Sequence, residues 1–308
     1  MSQANEPASV SGAVSGVDVL YRVYCARSEM PPLEKLLARL TSGNPHNPPG
    51  SYVFPRGAGL RRLQDALGAS RDFFVMGYTK QEAPQLWSEL DRALGEQACG
   101  FEDQDRSILQ ASTLCVVLRA TIANPESNDY IETLVHLADA FRELLQGVVW
   151  DVRMERIFGF EEWRERVMEE PFSVLNHVSL RKTPGAGGTV HVATRGLLKF
   201  GAPDLEIFGV PAEQVNDVSA ALLDVAEHVA QGELIEPGES VEYAGAKIRF
   251  VPAPPGPEPP PNPVLRLIDE GAADPTGEGG APKLLARLRE GRESVEGRRA
   301  GGGRPAEG

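Results

Sequence analysis

Two stretches of the chain share the spacing His-x-x-x-Arg: residues 176–182 read NHVSLRK and residues 190–196 read VHVATRG. On a β-strand, positions i, i+2 and i+4 point to one face. His177, Ser179 and Arg181 would then lie together, as would His191, Ala193 and Arg195. Suppose the stretches pair as a hairpin around TPGAGG (183–188), with Arg181 opposite His191. His177 then falls opposite Arg195, and two imidazoles and two guanidiniums form one seat for a carboxylate or phosphate. Histidine can titrate there near neutral pH while arginine holds the anion. A one-residue slip of register sends the arms to opposite faces and dissolves the cluster. The competing reading is plain: alternating polar residues are what a solvated strand face looks like.

Other chemistry finds little support. His46, His136 and His228 stand at no ligand spacing with a second His or Cys, so no metal is expected. No GxGxxG, no GxxxxGK[ST] and no GxSxG occurs, so no cofactor and no nucleophile elbow is expected. Cys25, Cys99 and Cys115 are far apart, odd in number and form no CxxC pair. They read as reduced core thiols. The acid pairs Glu161-Glu162 and Glu169-Glu170 read as solvated helix positions. A net charge of −13 makes nucleic acid a poor partner, because phosphate neutralisation needs a positive face.

The elements that must position these residues follow from periodicity. Residues 17–25, 72–78 and 108–121 are rich in β-branched and aromatic types and read as strands, the last buried on both faces. Helical stripes recur over 33–40, 60–67, 84–98, 128–145, 160–168 and 212–231. Asn128 or Asp129 can cap the long central helix, and Gly147 follows its end. A short strand at 148–152, hairpin arms at 172–182 and 189–199, and strands at 205–209 and 240–251 complete the body. Long loops and mixed spacing predict an α+β fold: a mixed, largely antiparallel sheet covered by helices.

The ends read differently. Residues 1–16 are small and polar and read as a disordered arm. They lack a basic n-region and an apolar h-region. No stretch approaches the roughly 18 apolar residues of a membrane span. A cytoplasmic chain without membrane insertion is expected. The body is expected to end at residue 251, with room for two subdomains divided near 170. Residues 251–263 then hold eight prolines in thirteen positions, a polyproline II-like spacer. Residues 252–308 read as a disordered Pro/Gly-rich tail holding two short islands, 264–270 (VLRLIDE) and 283–292 (KLLARLREGR). The second carries Lys283, Leu284, Leu285, Arg287, Leu288 and Arg289, an amphipathic basic segment that could fold on a partner.

Residues 194–211 read TRGLLKFGAPDLEIFGVP. Gly201, Pro203, Asp204, Leu205 and Glu206 stand there in order, after a long helix and the set Gly147, Val149 and Asp151. This pattern, over about residues 110–250, resembles the bacterial family of unknown function DUF4261. The resemblance implies a mixed α/β domain in bacteria, and it brings no catalytic residues with it. The expectation for function is a non-enzymatic interaction module, adaptor or immunity-like, whose partner is another protein and whose tail is a short recognition segment. The alternative is a small-anion sensor or enzyme built on the His/Arg hairpin.

Overall fold

The computed structural model describes residues 16–42, 73–97, 101–123, 128–168, 172–232, 236–243, 246–253 and 263–269. The helix expected at 60–67, the N-terminal arm and the segment 283–292 lie outside them. Two compact units emerge among the described residues: Gly16–Ser179 with Arg195–Ala202, and Leu180–Thr194 with the described residues from Pro203 onward.

The first unit is built on a five-stranded antiparallel sheet in the order β2-β3-β1-β4-β5. Its strands are β1 (Val17–Cys25), β2 (Phe73–Thr79), β3 (Leu114–Ile122), β4 (Gly147–Asp151) and β5 (Arg156–Phe158). Strict alternation along these strands separates two cores. Val17, Val19, Tyr21, Val23, Val116, Leu118, Val149 and Phe158 face α1 (Leu33–Ser42) and α4 (Asp129–Leu145). Tyr24, Cys115, Val148, Trp150 and Ile157 face α2 (Pro84–Glu96) and α3 (Asp103–Ala111). There the Tyr24 ring meets Trp87 edge-on at 5.7 Å, and Trp87 donates to Ser112 Oγ at 2.9 Å. Such aromatic pairs add about 0.5–1.5 kcal/mol beyond their buried area.

Residues 108–111, expected to open a long strand, instead close α3. Asp103 and Asp105 favour its first turn, and the Ser112 hydroxyl donates back to Leu109 O at 2.7 Å, ending the helix. The helix α4 starts after Asn128 and ends just before Gly147, as expected. Gln146 takes the left-handed conformation (φ 53°), and Gly147 opens β4. Glycine is required at 147 by close approach: a Cβ there would sit 2.7 Å from Val23 Cγ1 and 3.1 Å from Tyr24 O. Beyond β5 the chain forms α5 (Phe160–Glu162), which widens into a π-helical turn over Trp163–Val167.

The second unit is a six-stranded sheet in the order β6-β7-β8-β11-β10-β9. Its strands are β6 (Ser179–Pro184), β7 (Thr189–Arg195), β8 (Asp204–Pro211), β9 (Ser240–Tyr243), β10 (Ala246–Pro252) and β11 (Val264–Asp269). The helix α6 (Val215–Ala230) packs on β8 and buries Val218, Leu222, Val225 and Val229. β8 and β11 run parallel, while β7–β8, β10–β11 and β9–β10 are antiparallel. Together the two sheets and six helices of the described residues make the expected α+β fold.

Three expectations for this unit are corrected. Globular structure does not end at residue 251, because residues 264–269 form β11, an inner strand between β8 and β10. The VLRLID run is too short for a helix, but its alternation buries Leu265 and Leu267 on a sheet whose other strands lie far away in sequence. Residues 240–251 are two strands folded on each other as β9 and β10, not one. The first arm of the expected hairpin begins only at Ser179, since Val174–His177 is a 3₁₀ turn.

Candidate functional site

His177 sits on that 3₁₀ turn and is 2% exposed, so it leaves the strand face on which the four-residue anion seat depended. Its ring stacks on Phe172 at 4.8 Å, and Nδ1 has no hydrogen-bond partner among the described residues. Burial, with the Lys199 and Arg166 charges beside it, holds its pKa well below the ordinary 6.5. His177 is therefore a neutral core residue. Arg195 is engaged by Glu155, with Nε 3.1 Å from Oε1. Arg181 stands exposed on β6.

His191 belongs to a different constellation. It stacks on Phe208 at 3.8 Å and shares a 3.1 Å hydrogen bond with Glu206 Oε2. The Arg266 guanidinium lies 3.9 Å from the centre of the same Phe208 ring and donates to Glu206 Oε1 at 3.0 Å. Burial pushes the Glu206 carboxyl up, and the hydrogen bonds and charges of His191 and Arg266 more than reverse this, leaving it below the usual carboxylate range. The sequence reading missed Glu206 and Arg266 as partners. Arg266 lay in the supposed tail, and only the β8–β11 register sets it opposite Glu206. The set is closed on itself: both oxygens of Glu206 are occupied by protein donors.

A buried pair in the first unit also escaped the sequence. The 3₁₀ turn Leu197–Phe200 presents Lys199, whose Nζ donates to Asp151 Oδ2 at 2.5 Å. Asp151 Oδ1 accepts the backbone N–H of Arg153 and Met154 at 3.0 Å each, and the Tyr130 hydroxyl donates to Lys199 O at 2.6 Å. Burial, and then the charge of Asp151, raises the Tyr21 phenol well above its ordinary value. Every group here is sealed from solvent, so the pair fastens the turn to the sheet and offers no route to a substrate.

Cys25 and Cys115 belong to the cores on opposite faces of the sheet, and neither is in a disulfide. Burial pushes the Cys115 thiol up to about 12, far from nucleophilic at neutral pH. Among the described residues no group of three or more His, Cys, Asp or Glu side chains could hold a metal ion. None of their helices is long and apolar enough to cross a membrane. Lys283, Leu284, Leu285, Arg287, Leu288 and Arg289 lie outside the described residues.

The remaining chemistry is at the sheet edges, where unpaired N–H and C=O groups can accept another chain. β5 is closed by a side chain. The Gln97 carboxamide donates to Ile157 O and accepts Ile157 N–H, each at 2.9 Å, in the manner of a neighbouring strand. β6 carries Arg181, Lys182 and Pro184, which oppose further pairing. β9 has four residues, one of them Glu242.

β2 has none of these devices. Its sequence is FFVMGYT, seven residues without a charge or proline, and among the described residues it pairs with β3 alone. The exposed apolar side chains gather there. Four large ones stand out among the described residues: Met30 (42%), Phe74 (41%), Met76 (44%) and Phe160 (43%). Phe160 carries the Arg142 guanidinium 4.3 Å from its ring centre. The other three belong to the β2 edge. Phe74 and Met76 share one face of the strand, and Met30 lies over Gly77 on the other, its Sδ 2.8 Å from where a Cβ would stand. Arg119, opposite Phe74, is held by both oxygens of Asp18 at 2.9 and 3.1 Å, so the rim of the patch is locally charge-paired.

No family model, curated protein or solved structure matches the chain.

Proposed function

We propose that the chain is a protein-interaction module that takes a partner strand onto the outer edge of β2, and that it does so in the bacterial cytoplasm as an adaptor or immunity-like protein. One observation carries the reading. Three sheet edges are blocked by a carboxamide clamp, by charge and proline, or by shortness, while β2 is long, uncharged and flanked by Met30, Phe74 and Met76. Open apolar edges of this kind invite aggregation unless something covers them. In strand addition the backbone supplies affinity and alternate side-chain contacts supply selectivity. The titratable groups give no comparable support to a catalytic reading. His177 is buried and neutral, and His191 and Arg266 both attend Glu206.

The test is a photo-crosslinking residue placed at position 76 in the living host, with adduct peptides mapped by mass spectrometry. The expected result is a discrete adduct to another polypeptide that is lost when Phe74→Lys is added. Crosslinks confined within a single copy of the chain would remove the reading.

A further inference from the structure

Resting on that reading, we infer that the strand received by β2 is the β2 of a second copy of this chain, paired antiparallel about a two-fold axis perpendicular to the sheet. Charge argues for it first. The chain carries a net −13, yet the seven residues of β2 carry none, and the nearby Arg119 is already bonded to Asp18. A basic partner would need an acidic landing strip, and β2 offers none. Nor does an acidic partner find free cations on the strand. A neutral strand matches a neutral strand, and the other copy supplies one by construction.

Geometry argues for it second. An isologous contact needs a patch that complements itself. With the axis perpendicular to the sheet, the alternation of β2 is preserved across the contact, so Phe74 and Met76 of both copies fall on one face. The register that sets Val75 opposite Val75 places Phe74 opposite Met76 of the other copy, twice. That puts all four exposed side chains in one cluster, with sulfur against aromatic ring on both sides. Lys80 and Glu82 lie beyond the C-terminal end of the strand and outside that cluster. The two five-stranded sheets become one continuous sheet of ten. A single strand pair covers less than the roughly 1,200 Å² typical of stable interfaces, so association depends on concentration.

Like net charge on the two copies opposes association, and salt screens that repulsion. Dimerisation therefore strengthens as NaCl rises, the reverse of binding to an oppositely charged partner. The experiment is sedimentation equilibrium of the full chain over a wide concentration range at low and high salt. Alongside it, a photo-crosslinking residue at position 74 is activated in an equal mixture of ¹⁴N and ¹⁵N protein. The expected result is a monomer–dimer equilibrium that shifts at least several-fold toward dimer at high salt, with mixed-isotope adducts mapping to the partner copy's β2. Met76→Lys, at an exposed position, should abolish the dimer with an unchanged far-ultraviolet spectrum.

A dimer that survives Met76→Lys with its spectrum unchanged overturns the inference. A chain that stays monomeric under all conditions, yet crosslinks to a different protein in the host, overturns the second copy as occupant and leaves the docking edge standing. A monomer that crosslinks only within itself overturns both.

Discussion

Lys199 Nζ lies 2.5 Å from Asp151 Oδ2 with both side chains sealed from solvent, so the 3₁₀ turn Leu197–Phe200 is pinned to β4 by a buried ion pair. Removing one member strands the other. Lys199→Met should destabilise the protein by about 3–5 kcal/mol, because an uncompensated carboxylate remains in the interior. Adding Asp151→Asn should restore part of the loss, since the amide oxygen still accepts the Arg153 and Met154 N–H groups without a charge. Urea midpoints at constant m-value read both effects.

Stability should fall with acid before the carboxylates begin to titrate. Burial holds His177 well below 6.5, and burial with the Arg39 charge pulls His136 to about 3. Below about pH 6.5 the unfolded chain takes up protons on these histidines and the native chain does not, so folding weakens as pH drops. Each contributes a slope of up to about 1.4 kcal/mol per pH unit between pH 6.5 and 5. Neither contributes above about pH 7.5. His177→Phe should remove about one proton from this slope, measured by urea unfolding from pH 5 to 8. An unchanged slope would mean that native His177 takes up its proton over the same pH range as the unfolded chain.

Gly196 has φ +116°, and a Cβ there would stand 2.5 Å from His177 O. Backbone cannot swing aside as a side chain can. Gly196→Ala should therefore cost at least about 1–3 kcal/mol, from strained dihedrals and the collision together. A thermal melt against the parent protein checks it.

The boundary of the globular part is open to direct test. A chain ending at residue 251 lacks β11, which lies between β8 and β10 and presents Arg266 to Glu206. It should lose cooperative unfolding of the second unit, whereas a chain ending at residue 269 should keep it. Calorimetry of the two truncations distinguishes them.

What the sequence disclosed depended on how local the physics was. The alternation of Val17–Cys25 announces a strand because every odd position enters one core, and DFFVMGY announces β2 by composition. Nothing near Phe74 says that β2 is an edge, because the order β2-β3-β1-β4-β5 is set by pairings across the chain. Val264–Asp269 was hidden for the same reason: prolines on its N-terminal side resemble the start of a tail, and its partners lie in β8 and β10. Ile108 and Leu109 fit a strand or a helix until Asp105 and Ser112 decide the matter. His177 and Arg195 share a spacing with Arg181 and His191. A 3₁₀ turn, which five-residue patterns do not reveal, takes His177 out of the set.

The central claim, that β2 is a docking edge, is tested most directly by hydrogen exchange of the full chain at low and high protein concentration. The outward amides of residues 73–79 should exchange rapidly at low concentration and gain protection as concentration rises, with little change in β3 or β4. Exchange in β2 that stays fast at every concentration and in host extract, or is already slow in the dilute monomer, would contradict the account.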